Sequence, residues 1–135
     1  IIPTLNEQER IKNSLKSAEF ADEVIVIDSF STDNTIKIVK QSNARLFQRK
    51  FDDFSKQKNY ALDQASNDWI VWIDADEVLT KDLQQEIIDA VESSNDFVGF
   101  YIYRTFFFKG KKMLFNTMDI FIFYFIKPSI RFNKI

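Results

Sequence analysis

The sequence predicts an α/β domain, a mainly parallel sheet flanked by helices, and three observations predict it. "EVIVID" (23–28) and "WIVWID" (69–74) are near-continuous apolar runs rich in Val, Ile and Trp. That pattern belongs to strands covered on both faces, as in a parallel sheet. Segments with helical spacing lie between and around these runs, and strand alternating with helix calls for right-handed crossovers between parallel neighbours. Finally, with two glycines in 135 residues there is neither a GxGxxG fingerprint nor a phosphate-binding P-loop, so the sheet is not of the dinucleotide or Walker type.

The elements follow in order. "IIP" at the start reads as the remainder of a first strand. Residues 7–17 put Ile11 and Leu15 at helical spacing, with Asn6 as a plausible N-cap. After the second strand, "STDNTIKIVKQS" (31–42) offers Asp33 or Asn34 as a cap before Ile36 and Val39, and "ARLF" (44–47) is a short third strand. "FSKQKNYALDQA" (54–65) reads as a helix leading into the fourth strand at 69–74. "TKDLQQEIIDAVESS" (80–94) is a helix that Thr80 could cap, with Leu83, Ile87, Ile88 and Val91 as its apolar stripe. "DFVGFYIYRTFFF" (96–108) then reads as a further strand.

Composition removes whole classes of chemistry. There is no cysteine and no histidine, which excludes disulfides, thiolate nucleophiles, imidazole triads and zinc sites built on sulfur or imidazole. A metal on this chain sits on oxygen ligands, which favours Mg²⁺ or Mn²⁺. The net charge of −2 conceals an asymmetry: residues 1–103 carry −8 and residues 104–135 carry +6. Ten of the 15 phenylalanines lie from Phe97 onward. A basic, aromatic end suits either a peripheral membrane contact or packing onto further chain. The apolar run at 120–126 is too short to span a bilayer, which takes roughly 20 residues. The opening on Ile rather than Met, and the short first strand, read as a piece of a longer protein.

The chemistry gathers at strand ends. In open α/β sheets the ligand lies beyond the carboxyl ends of the strands. Two of the expected strands end there in aspartate, Asp28 and Asp74, with Asp76 and Glu77 just beyond. Side chains two apart along a strand point the same way, so Asp74 and Asp76 should share one face of the mouth. Two such charges about 4 Å apart repel by roughly 4 kcal/mol at an effective dielectric near 20. A proton, a cation such as Lys56 or Lys58, or a divalent metal has to offset that. Acids that merely cap the next helix are the plainer alternative for any one of them. Asp74-Ala-Asp76-Glu-Val78 also has the letters of a haloacid-dehalogenase-type phosphatase motif, but that motif belongs after a first strand, and here it follows three.

A second family is similar over more of the chain. "IIPTLNEQERIKNSLKS", "DEVIVIDSFSTDNTIKIV" and "KQKNYALDQASNDWIVWIDADE" resemble, in that order, the opening strand, the second strand and the DxD-bearing strand of family 2 glycosyltransferases of the GT-A fold. The wording "ADEVIVIDSFSTD" and "FSKQKNYAL" resembles the bacterial branch that builds lipopolysaccharide core and related cell-surface glycans. The resemblance covers about residues 1–112, a nucleotide-sugar-binding domain, and leaves 113–135 as a divergent aromatic and basic tail where the acceptor region would start. It implies that Thr4, Asn6 and Glu7 line a nucleotide pocket and that Asp28 accepts from the N3–H of uracil. It also implies that Lys58 lies near the base or phosphates, Asp74 reaches the ribose, and Asp76 holds a Mn²⁺ or Mg²⁺ ion on the diphosphate. Asp119 is the one carboxylate left to act as catalytic base toward the acceptor. The implied reaction moves a sugar, with inversion, from a nucleotide-diphosphate donor (a UDP-sugar) to a glycan or glycolipid acceptor. Nucleic acid is not an expected partner. The expected place is the cytoplasm or the inner face of the membrane. A nucleotide-binding remnant without turnover is the alternative.

Overall fold

The structure, a computed structural model, describes residues 1–93, 99–100, 102, 105, 107–108 and 111–112. Three short parallel strands, β1 (Ile2–Thr4), β2 (Ile25–Asp28) and β3 (Arg45–Gln48), lie side by side in that order. Helices α1 (Ile11–Ala18) and α2 (Thr35–Lys40) make the two crossovers. Helix α3 (Phe54–Gln64) follows β3, and α4 (Lys81–Ser93) follows the apolar run at 69–74. A separate two-residue antiparallel pair, β4 (Phe107–Phe108) with β5 (Lys111–Lys112), completes the described elements. Of the strand expected over 96–108, residues 107–108 lie in β4, residues 99–100, 102 and 105 are in no strand, and the rest lie outside the described residues.

Side-chain alternation sorts the core into two layers. Ile2 and Val26 face one side and pack with Ile11, Leu15 and Ala18 of α1, Val39 of α2 and Ile87 of α4. Ile25 and Ile27 face the other and meet Ala61 and Leu62 of α3. All four residues of β2 are buried, as expected for a central strand with helices on both faces. Fully burying such an aliphatic side chain stabilises by roughly 1.5–3 kcal/mol.

The run at 69–74 departs from expectation. Among the described residues, its ladder toward β1 consists of two hydrogen bonds to Ile1, whose amino group donates to the Val71 carbonyl (2.7 Å) and whose carbonyl accepts from Ile73 N–H (3.1 Å). That is a parallel pairing, one residue deep, and the described bonds make no continuous strand over 69–74. The side chains still alternate as in a strand. Trp69, Val71 and Ile73 join the α1 layer, while Ile70 and Trp72 join the α3 layer.

Of the helix starts, the cap at Thr80 was expected and the one at Asp53 was not. Asp53 caps α3 by accepting from Lys56 N–H (2.7 Å), and the Thr80 hydroxyl accepts from Leu83 N–H (3.3 Å) at the head of α4. Asn6, however, is not a cap. Helix α1 starts at Ile11 after a turn in which the Glu7 carbonyl accepts from Arg10 N–H (3.0 Å) and Ile11 N–H (2.9 Å). At α2 the capping bond comes from Asp33, which accepts from Thr35 N–H (2.9 Å), while Asn34 occupies the cap position without one.

Candidate functional site at the carboxyl edge of the sheet

The last residue of each parallel strand is polar. Thr4, Asp28 and Gln48 are paired across β1, β2 and β3 in a single rung. Paired side chains share a face of the sheet, so this row continues the line of Ile2, Val26 and Leu46 and turns it from apolar to polar at the edge. Asp28 is fully buried. Its carboxylate accepts from Ser31 N–H (3.0 Å), from the Ser31 hydroxyl, and from Gln48 Nε2 (3.0 Å). A carboxylate withdrawn from water needs such donors, and three of its roughly four acceptor positions are now taken. Beside it, Thr4 is 5% exposed, and its hydroxyl is the one buried side-chain polar atom without a hydrogen-bond partner among the described residues.

The loops after β1 and β2 are laced together by side chains. Asn6 N–H donates to Ser31 Oγ (2.8 Å), and Asn6 Oδ1 accepts from Thr32 N–H (2.8 Å). Glu7 N–H donates to Thr35 Oγ1 (2.8 Å), Gln8 N–H to Asp33 Oδ2 (3.2 Å), and Asn34 N–H to Gln8 Oε1 (3.0 Å). Asn6 sits at φ 54°, a left-handed conformation that asparagine tolerates better than most residues. Phe30 is at φ 65° with its ring exposed, an uncommon place for a bulky residue. At Asp33, desolvation pushes the carboxyl up, but hydrogen bonds from Thr35 and Gln8 outweigh it and hold it below the usual carboxylate range.

Beyond β3 stands a cation that sequence reasoning missed. Arg49 N–H donates to the Asp28 carbonyl (3.0 Å), and its guanidinium reaches Asp52 (2.8 Å) and Gln57 Oε1 (2.9 Å) over the Tyr60 ring. Gln57 in turn donates to Ser29 Oγ (3.3 Å). The hydrogen bond from Arg49, with help from Asp53 N–H, holds the Asp52 carboxyl far below its ordinary value. Gln48 was missed as well. The only signal was its place as the residue after an apolar run.

The acidic segment is a turn, and this overturns the expectation that Asp74 and Asp76 share one strand face. Glu77 N–H donates to the Asp74 carbonyl (3.0 Å), and the Glu77 carboxylate accepts from Asp74 N–H (2.8 Å). Asp76 lies at the corner of this turn, where two-residue alternation no longer applies. Ser14 of α1 holds the turn by donating to the Asp74 carbonyl (3.3 Å). Asp76 is exposed and has no partner among the described residues. Of the two lysines considered, Lys56 pairs with Asp52 (3.2 Å) and Asp53 (3.3 Å), and the Lys58 ammonium lies 5.5 Å from the Trp72 ring centre. Asp119 and the whole 113–135 segment lie outside the described residues.

The donor set admits a hard divalent ion, with a limit. Among the described residues no three carboxylates are grouped to hold one. Asp76 would contribute one ligand, leaving the others to substrate phosphates and water, which is how Mg²⁺ is commonly bound.

A parallel α/β domain with its buried acid, orphaned hydroxyl and exposed carboxylate along the carboxyl edge of the sheet is built as a ligand-binding domain. The particular family follows from comparison. The profile described as "Glycosyl transferase family 2" matches residues 1–134, and the chain belongs to that family. An uncharacterized glycosyltransferase of Rickettsia felis is 45% identical over 87 residues, covering 64% of this chain and 31% of the relative. The lipopolysaccharide core biosynthesis glycosyltransferase of Rhizobium meliloti is 31% identical over 105 residues, covering 74% of this chain and 39% of that protein. Among solved structures, S. aureus TarS in complex with UDP-GlcNAc is similar with a TM-score of 0.59 and 27% identity, over 67% of this chain and 30% of that one. The chain thus spans about a third of the length of the relatives it matches.

Proposed function

We propose that this domain binds the nucleotide of a UDP-sugar at the carboxyl edge of its sheet and serves an inverting sugar transfer to a cell-surface glycan or lipopolysaccharide-core acceptor. The observation that carries the reading is the rung of Thr4 and Asp28, where an unpartnered buried hydroxyl adjoins a buried carboxylate with one acceptor position left. Leaving a buried hydroxyl unsatisfied costs about 1–3 kcal/mol, and a ligand seated there removes that cost. The N3–H of uracil suits the free acceptor position of Asp28, whereas cytosine presents an acceptor at N3. Asp74 is assigned to the ribose, Asp76 to a Mg²⁺ or Mn²⁺ ion on the diphosphate, and Lys58 to the base or phosphates. Asn6 and Glu7 shape the pocket wall through the interlaced loops. When bound, the ion stabilises the charge left on the departing diphosphate. Asp119 is the proposed base. The basic, aromatic 113–135 segment is assigned to contact with the inner membrane face, which suits a glycolipid acceptor. Among the described residues no helix is long and apolar enough to cross a membrane.

Calorimetry of UDP binding with Mg²⁺, and again with a chelator, tests the site. The expected result is clear weakening on chelation for the native chain and little further change in Asp76→Asn. Equal affinity with and without the ion would remove Asp76 from the metal role. No UDP binding in either condition would sink the reading altogether.

A further inference from the structure

We infer that Ser31 is a positioning residue for base selection, with Gln48 as its counterpart on the far side of Asp28. The inference deepens the reading of Asp28 as the uracil reader and rests on it.

A serine hydroxyl has one hydrogen to give and can also accept. Here Asn6 N–H donates to Ser31 Oγ at 2.8 Å, which fixes Oγ as the acceptor toward Asn6. The hydroxyl hydrogen is thereby left for Asp28 Oδ1, the partner that Oγ contacts on its other side. Ser31 N–H adds a bond to Oδ2 (3.0 Å), and Gln48 Nε2 donates to the same oxygen from β3 (3.0 Å). The carboxylate is therefore held from both neighbouring chain segments and cannot swing about its own axis without losing a donor. Asn6 is fixed in its turn, because its Oδ1 accepts from Thr32 N–H, one residue beyond Ser31. The chain Asn6–Ser31–Asp28 carries the geometry of the loop after β1 to the acid at the end of β2.

A held carboxylate discriminates between bases; a loose one does not. Cytosine carries a donor in its exocyclic amino group next to the N3 acceptor. A carboxylate free to turn can reach that amino group and recover the bond that N3 denies it. Without the Ser31 hydroxyl, UDP should bind more weakly and CDP should lose less or gain. General stability of the fold has no reason to move that ratio.

The experiment is calorimetry of UDP and of CDP against the 135-residue chain and the variants Ser31→Ala, Ser31→Thr, Gln48→Leu and Asp28→Asn. The native chain is expected to prefer UDP by about ten- to a hundredfold. Ser31→Ala should shrink that preference by about three- to tenfold, and Ser31→Thr, which keeps a hydroxyl, should restore it. Gln48→Leu, on an edge strand, should shrink it similarly and gives the answer if Ser31→Ala does not fold. If Asp28→Asn loses the preference while Ser31→Ala and Gln48→Leu keep it, Asp28 reads the base unaided and this inference is wrong. If Asp28→Asn keeps the preference too, the base reading itself fails and takes the inference with it.

Discussion

Thr4 holds a buried hydroxyl at the sheet edge with no partner among the described residues, and that small defect separates stability from binding at one position. Replacing it by valine removes an unsatisfied polar atom and keeps the branched shape. Thr4→Val should therefore stabilise the ligand-free chain by about 1 kcal/mol, read as a rise in the urea midpoint, while weakening UDP. A fall in stability would mean that the hydroxyl has a partner. Residues of this kind mark where the sequence was readable only in part. Thr4 and Asp28 could be placed at a strand end from the apolar runs before them. The partners Ser31 and Gln48 could not, because the bond from Gln48 to Asp28 spans 20 positions and depends on the register of two strands.

At the scale of elements, the helix starts illustrate what local chemistry can and cannot settle. Asp53 stands just before α3 and makes the capping bond. Asp53→Ala should lower the melting temperature by roughly 2–5 °C. Its carboxyl lies below the ordinary range, chiefly because Lys56 N–H donates to it, against some desolvation and with help from the Lys56 ammonium. A group depressed on folding adds stability above its unfolded value, near 3.9, and loses it as pH falls through the lower folded value. The gap in melting temperature between the native chain and Asp53→Ala should therefore be full at pH 6 and close progressively below about pH 4. A gap unchanged at pH 2.5 would mean that the alanine acts through something other than the charged cap. Asn6 was the opposite case. It has the residue type of a cap, but its Oδ1 serves Thr32 from the neighbouring loop, so a long-range bond overrode a local preference.

For the whole molecule, the described carboxyl edge is the donor half of the proposed reaction, and the acceptor half is assigned to the segment that contains Asp119. The five exposed large hydrophobics of the described residues, Leu5, Phe30, Phe51, Phe54 and Val78, all lie on segments that follow β1, β2, β3 or the 69–74 run, so the edge carries an apolar rim. If donor binding and base catalysis are separable, Asp119→Asn should leave UDP affinity unchanged. It should also lower sugar transfer from a labelled UDP-sugar to extracted lipopolysaccharide core by about 10²–10⁴-fold. Transfer that is robust and indifferent to the substitution would place the base on another residue.

The sequence by itself determined the parallel α/β class, the two-sided burial of β2 and the gathering of acids at strand ends. Each of these follows from hydrophobic periodicity, which acts over a few residues. It also determined that a metal, where one binds, meets oxygen, since cysteine and histidine are absent. Only the tertiary structure decided how the acids are used. Asp76 leaves the strand face because the Glu77 carboxylate takes the Asp74 N–H and folds the chain into a turn. The 69–74 run keeps strand alternation, and its described bonds toward β1 are the two to Ile1. Asp28 is held by Ser31 and Gln48 because the register of β2 with β3 and the lacing of two loops bring donors to it. Periodicity shows which face a residue takes; the partner it meets there depends on how separate segments come together.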